Sequence, residues 1–211
     1  MNQYTLNQGL YLFPTPAGAY ATVSTTEADR ARQFLRNLLL QRQTPELTDE
    51  ILSRLMVLED EAKCLDLLYH CQKLGWVQGL KEPLTYPEGA LEEILPGFLG
   101  PLSEKGKVLL ADQQGFYLAT QGFPHEVAEE LSALSAEIAT VHERRSGLLL
   151  NNMGLGSHAW SVVDSFGNSQ VGFWPLFIGK NRFVVAVSGI PHFNQPEFVS
   201  LVWALTIRYA A

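Results

Sequence analysis

Residues 108–122 read VLLADQQGFYLATQG. Two short apolar runs, 107–111 and 116–120, flank the polar segment DQQG at 112–115. Apolar runs separated by a short polar segment that contains glycine are typical of a β-hairpin. The stretch therefore predicts two neighbouring antiparallel strands, and it makes an antiparallel sheet the frame for the residues that follow.

The residues after this hairpin predict helices on an antiparallel sheet. Pro124 opens a long helix over 125–145, and Pro196 starts a final helix that reaches Tyr209. Between these helices lie three strand-like runs separated by turns, at 158–164, 171–178 and 182–188. The predicted order is strand, strand, long helix, three strands, helix. It gives an α+β fold in which helices cover a five-stranded antiparallel sheet.

This order of elements resembles the roadblock (dynein light chain) family. The family opens with an apolar strand, an Asp-x-x-Gly turn and a strand that ends in small residues, as residues 108–122 do. Its long helix is rich in small residues, like AEELSALSAEIATV at 128–141. The resemblance covers residues 106–211. It implies a domain that forms a homodimer and that regulates or scaffolds a small Ras-like GTPase or assembles a larger complex.

Residues 1–82 predict a separate, small α+β domain. Two apolar runs within 9–24, separated by prolines and a glycine, predict a hairpin or two short strands. Three helical stretches and an extended run at 76–80 follow. This order is generically similar to winged-helix domains. Residues 83–105, with prolines, glycines and a short helix, are predicted to link this domain to the roadblock-like one.

The charge of the chain bears on which classes of partner it can bind. The net charge of the 211 residues is −7, which disfavours non-specific attraction to nucleic acid. Residues 1–82 contain eight basic and ten acidic residues, whereas a winged helix that grips phosphates usually presents a basic face. We therefore expect no nucleic-acid partner. The alternative is a transcriptional regulator whose winged helix binds DNA and whose C-terminal domain dimerises or senses a ligand.

Neither export nor membrane insertion is predicted. The N-terminal residues MNQYT lack the basic and apolar regions of a secretory signal. The longest apolar run, 198–210, is shorter than the roughly 20 residues of a membrane span and contains Arg208. Two cysteines, Cys64 and Cys71, form no CxxC motif, and such low cysteine use favours a reducing compartment. We expect a cytoplasmic protein.

The chain carries no pattern that predicts catalysis, a cofactor or a metal. The sequence GLGSHA at 154–159 has GxGxxA spacing, but it lies between a predicted helix and a predicted strand, the reverse of a dinucleotide site. There is no P-loop, HExxH or GxSxG motif. We assign no catalytic, cofactor-binding or metal-binding residue and expect a non-enzymatic adaptor or scaffold.

Two stripes on the long helix bear on dimerisation. The larger side chains are Val127, Leu131, Leu134, Ile138 and Val141, and we predict that they pack on the chain's own sheet. The small side chains are Ala128, Ser132, Ser135 and Ala139, and we predict that they receive the same helix of a second copy. The alternative is that the small residues only supply helix propensity on a solvated face.

Aromatic residues of the predicted strands complete the candidate surfaces. Trp160 and Val162 share one side of a strand and join the predicted dimer interface. Trp174 falls on the opposite face from Phe173. If no helix covers that face, Trp174 offers a contact to a partner protein, and otherwise it belongs to the core.

Overall fold

The computed structural model of the chain describes residues 4–27 and 29–210. Residues 1–3, 28 and 211 lie outside the described residues, so the N-terminal stretch MNQYT is described only in part. The elements in chain order are β1 (Tyr11–Pro14), α1 (Pro16–Val23), α2 (Arg30–Leu39), α3 (Asp49–Met56), α4 (Glu61–Lys73), β2 (Val77–Leu80), α5 (Leu91–Leu99), β3 (Val108–Ala111), β4 (Tyr117–Gln121), α6 (His125–Gly147), β5 (Trp160–Val163), β6 (Ser169–Ile178), β7 (Asn181–Ser188) and α7 (Pro196–Tyr209).

The larger sheet is antiparallel and has the strand order β4-β3-β7-β6-β5. The opening hairpin supplies β4 and β3, and β3 then pairs with β7 from Val108↔Val187 to Ala111↔Val184. The long β6–β7 hairpin lies at the centre, and β5 pairs with β6 at the far edge. The predicted α+β fold with a five-stranded antiparallel sheet and covering helices is confirmed.

In two hairpin turns, an aspartate side chain accepts hydrogen bonds from backbone N–H groups of the same turn. In the DQQG turn, Asp112 Oδ1 accepts the N–H groups of Gln114 and Phe116, each at 2.9 Å. In the β5–β6 turn, Asp164 accepts the N–H of Asn168 at 2.9 Å, and this bond is the main cause that lowers the pKa of Asp164. Such side-chain turns bend the backbone before a glycine and so set the register of each hairpin.

Helices cover both faces of this sheet. On one face, α6 packs on a cluster that includes Leu109, Phe173 and Ala186. On the other face, α5 and α7 enclose a larger core that includes Leu110, Leu176 and Val185. The side chains of β3 and β7 therefore alternate between two cores, which explains why these central strands are apolar almost throughout.

The prediction of a hairpin within residues 9–24 is wrong in its second half. The strand β1 exists, but the run after it is the helix α1. Thr15 caps this helix by accepting the N–H of Gly18 at 3.1 Å, and Pro16 stands in its first turn, where a proline loses no hydrogen bond. The partner of β1 is instead β2, from Tyr11↔Leu80 to Pro14↔Val77.

The N-terminal and C-terminal segments share a core. Phe13 packs on Trp203 of α7 with ring centroids 5.1 Å apart, and the Trp203 indole N–H donates to the carbonyl of Gln41 at 2.8 Å. Ala19 and Val23 of α1 belong to the same cluster as the buried face of α7. A second cluster lies within the N-terminal segment, among α2, α3 and α4. The division into domains 1–82, 83–105 and 106–211 stays a prediction.

No helix in the described part of the chain combines the length and apolar character that a membrane crossing requires.

The close approach of α1 to the segment before β2 gives a stability prediction. A Cβ atom at Gly18 would lie 2.0 Å from the carbonyl oxygen of Trp76, a backbone atom that cannot move aside without shifting the turn. We expect Gly18→Ala to lower the free energy of unfolding by about 3 kcal/mol. Denaturant unfolding followed by circular dichroism measures it.

Gly97→Ala is the matched control for that substitution. Gly97 lies inside α5, and a Cβ atom there would meet nothing within 4 Å. Because alanine is the better helix former, we expect this variant to be as stable as the original chain or more stable by up to about 1 kcal/mol. Equal stability of the two variants would contradict the packing of α1 described above.

Candidate interaction surface

The stripe of small residues on α6 faces the chain's own sheet. Ala128 and Ser132 are 0% exposed, Ser135 is 1% exposed and Ala139 is 5% exposed. The hydroxyl of Ser132 donates to the carbonyl of Ala128 at 2.6 Å, and that of Ser135 donates to the carbonyl of Ser132 at 2.7 Å. Both buried hydroxyls thus have partners inside the helix, and the small side chains let α6 lie close to the strands.

This orientation corrects the prediction from the sequence. We expected the larger stripe on the sheet and the small stripe on a second copy, and the first of these expectations is wrong. Leu131 and Ile138 only flank the sheet-facing cluster, while Val127 and Leu134 are each 38% exposed and Val141 is 43% exposed. The four small residues are already covered within one chain, and Val127, Leu134 and Val141 lie partly exposed along one flank of α6.

The edge strand β5 is exposed along its whole length. Trp160 is 39% exposed, Val162 52% and Val163 55%. Within the described residues, β5 pairs only with β6, so its other edge carries unpaired backbone N–H and C=O groups. Trp160 and Val162 lie on the side of the sheet that α6 covers, because they pair with Phe173 and Val171 of that cluster.

The flank of α6 that carries Val127, Leu134 and Val141 lies next to the face of β5 that carries Trp160 and Val162. Leu131 and Ile138 pack in the same cluster as Phe173 and Val171, the direct partners of β5. We call the combined exposed surface the α6–β5 surface, and it consists of Val127, Leu134, Val141, Trp160 and Val162. Large exposed apolar residues grouped in this way mark surfaces that contact other molecules.

The connection from α6 to β5 extends the apolar character of this region. Residues Leu148–Asn152 form a π-helical turn after α6. The segment exposes Leu148 (48%), Leu150 (52%), Met153 (60%) and Leu155 (51%). This segment contains the GxGxxA spacing at 154–159, which here lies in a loop that leads into a strand and opens no helix.

Trp174 lies on the opposite face from Phe173, as predicted, but its own chain covers much of it. Its ring meets Phe193 edge-on with centroids 5.1 Å apart, and it lies directly over Gly172. Phe193 in turn packs on Phe198 of α7. The half-buried Trp174 therefore borders the core, and its role as a contact to a partner protein stays a prediction.

A cluster of aromatic and imidazole rings joins the end of α6 to the start of β5. The indole N–H of Trp160 donates to Nδ1 of His142 at 2.9 Å. The ring centroid of His142 is 4.9 Å from that of His158, and His158 meets Phe177 edge-on at 5.4 Å. His142 is 6% exposed. Burial, and after it the neighbouring His158, lowers the pKa of His142.

This cluster was not predicted from the sequence, although one sign of it was present. His142 continues the small stripe, since the buried positions Ala128, Ser132, Ser135, Ala139 and His142 are spaced four, three, four and three residues apart. A histidine on the buried stripe of a helix needs a hydrogen-bond partner. That partner comes from a strand 18 residues later, across a loop whose path the sequence does not specify.

Other polar residues serve local structure. Ser157, His158 and Asp164 do not form one site, because Asp164 is engaged by the backbone of its own turn. Among residues 4–27 and 29–210, no group of three or more His, Cys, Asp or Glu side chains is placed to hold a metal ion. Cys64 and Cys71 are buried free thiols.

Comparison with known proteins adds one distant likeness. No family model matches the chain, and no curated protein is similar to it. A solved structure of a Roadblock/LC7 domain from Streptomyces avermitilis is 12% identical, covers 57% of this chain and 93% of its own, and superposes with a TM-score of 0.36. A likeness at this identity and score says nothing about what the chain binds.

The orientation of α6 predicts effects of different size for substitutions at two adjacent residues. Ser135→Leu adds a large side chain where α6 meets the sheet, and we expect it to lower the free energy of unfolding by about 2 kcal/mol. Leu134→Ser changes a partly exposed position, and within one chain we expect it to lower this free energy by less, about 1 kcal/mol or below. Urea unfolding of both variants, at a protein concentration low enough to keep the chain monomeric, tests this pair. The reverse order of effects would show that the larger stripe packs on the sheet.

The environment of Cys71 predicts an unreactive thiol. Burial, and after it the charge of Asp29, raises the pKa of Cys71 to about 11. In a Cys64→Ser variant, we expect Cys71 to react with a disulfide reagent at pH 8 only after unfolding. Because the folded state holds this proton more tightly, stability should fall as pH rises from about 9 towards 11. Rapid reaction of the folded variant would contradict this.

Proposed function

We propose that the protein is a non-catalytic adaptor or regulatory scaffold that forms a homodimer through its α6–β5 surface. The observation that carries this proposal is the position of the unpaired edge of β5 beside the exposed apolar side of α6. An edge strand can add a further strand, and an adjacent apolar surface supplies the area that makes such an addition stable.

A second copy of the chain suits this surface. Two β5 strands related by a two-fold axis would run antiparallel, so the unpaired N–H and C=O groups of each edge would find partners in the other. The same axis would bring Trp160, Val162 and the larger residues of α6 onto their own copies. The proposed interface therefore differs from the one predicted from the sequence. It contains Val127, Leu134 and Val141 in place of the small residues of α6, and it still contains Trp160 and Val162.

A small Ras-like GTPase is the partner class that the sequence resemblance supports. The chain has no P-loop of its own, so the nucleotide would be bound by that separate protein. The homodimer would offer two equivalent sites for such a partner, or for the subunits of a larger complex. We place this activity in the cytoplasm, in line with the low cysteine content.

The dimer is tested by a charge placed on the edge strand. Val162→Arg puts a cation at the proposed contact, and its 52% exposure means that folding within one chain tolerates it. We expect the original chain to have the mass of a dimer by light scattering and Val162→Arg to have that of a monomer, because an unpaired buried charge costs about 3 kcal/mol or more.

Phe116→Arg is the control for the charge itself. Phe116 is 71% exposed on the turn of the opening hairpin, at the opposite edge of the sheet from β5. This variant should remain a dimer. If both variants stay dimeric, or if the original chain is a monomer, the proposed interface is wrong.

The GTPase partner needs a separate test. The tagged chain serves as bait for purified small Ras-like GTPases, each loaded with GDP or with a GTP analogue. We expect one of them to be retained in one nucleotide state, and Val162→Arg to retain less of it per chain. Retention of none in either state would remove the GTPase proposal and leave the dimer untouched.

A further inference from the structure

The ring cluster between α6 and β5 fixes the protonation state of one imidazole. An indole N–H can only donate a hydrogen bond, so Nδ1 of His142 must accept it at 2.9 Å through a free lone pair. His142 is therefore neutral, with its proton on Nε2. When the ring takes up a second proton, Nδ1 becomes a donor and faces the donor of Trp160, so the bond between them is lost.

The surroundings of His142 give a protonated ring little compensation. His158, from the segment before β5, lies 4.9 Å away between ring centroids and lowers the pKa of His142. Glu143, the next residue of α6, forms an ion pair with Arg182 of β7. The charge of Glu143 raises the pKa of His142, but burial and His158 lower it by more. Phe177 of β6 meets the ring of His158 edge-on and carries no charge.

The residue released by protonation belongs to the exposed edge of the sheet. Trp160 is the first residue of β5, and its bond to His142 is a side-chain link from this strand to α6. Loss of that bond would free the indole and loosen the start of β5. The edge that remains would be less ordered and therefore a poorer template for pairing.

We propose that protonation of His142 in mildly acidic solution releases Trp160 and thereby weakens self-association through the α6–β5 surface. The second part rests on the proposed function, whereas the first part takes place within one chain. Histidine is suited to this role because its charge changes near neutral pH. The buried position of His142 moves its protonation to more acidic pH, so the contact is intact at pH 7.5 and weakens below about pH 6.5.

The test follows the indole N–H signals of the ¹⁵N-labelled full chain by NMR between pH 7.5 and pH 5, with a Trp160→Phe spectrum to assign Trp160. We expect the Trp160 signal to shift and to lose protection from solvent exchange in one transition below about pH 6.5. Trp203 is an internal control, because its indole donates at 2.8 Å to the carbonyl of Gln41, which does not titrate in this range.

His142→Gln is the matched variant, since a glutamine oxygen accepts from an indole but does not titrate. In this variant, the Trp160 signal should not respond to pH. By analytical ultracentrifugation, the dimer of the original chain should dissociate about tenfold more readily at pH 5 than at pH 7.5, because each of the two chains must then order the start of β5 again before it can pair. The dimer of His142→Gln should change less than about twofold.

The outcomes separate the switch from the dimer. A Trp160 signal that does not change in the original chain overturns the proposal, whatever the variant does. An equal change in His142→Gln also overturns it, because another group would then be responsible. A chain that is monomeric at both pH values refutes the proposed function and the effect on self-association, and the Trp160 signal alone then decides whether His142 controls this strand.

Discussion

The close packing of α6 on the larger sheet is the contact on which the accessible surface depends. Only small side chains at Ala128, Ser132, Ser135 and Ala139 allow this approach, and burial of the two serines requires that each hydroxyl bond within the helix. The choice of which stripe faces inward also decides which stripe faces outward. The larger apolar side chains become surface for this reason, and they meet the exposed strand β5 there.

The strands and helices of the C-terminal half could be predicted because their signals are local. The turn DQQG, the prolines that open α6 and α7, and the alternation within β6 and β7 each depend on a few neighbouring residues. The N-terminal run 15–23 shows the limit of this reasoning. An apolar, proline-rich stretch is compatible with a strand or a helix, and the Thr15 cap decides for the helix.

The candidate surface was harder to predict, because it depends on contacts between distant residues. Apolar periodicity located both stripes of α6, but it could not decide that the smaller one packs on the sheet. That choice reflects the distance between helix and strands, which the sheet and its other side chains set together. The hydrogen bond from Trp160 to His142 could not be predicted for the same reason. Trp160 and Val162 are exposed on one face of β5, and their place in a dimer interface stays a prediction.

The bond between Trp203 and Gln41 has a consequence for synthesis of the chain. These residues are 162 positions apart, and both lie at the core that α1, α2 and α7 build together. A ribosome that has made α1 and α2 must still add more than half of the chain before α7 can cover them. The apolar faces of the first helices are therefore open during translation, and this interval is when the nascent protein is most exposed to aggregation and to chaperones.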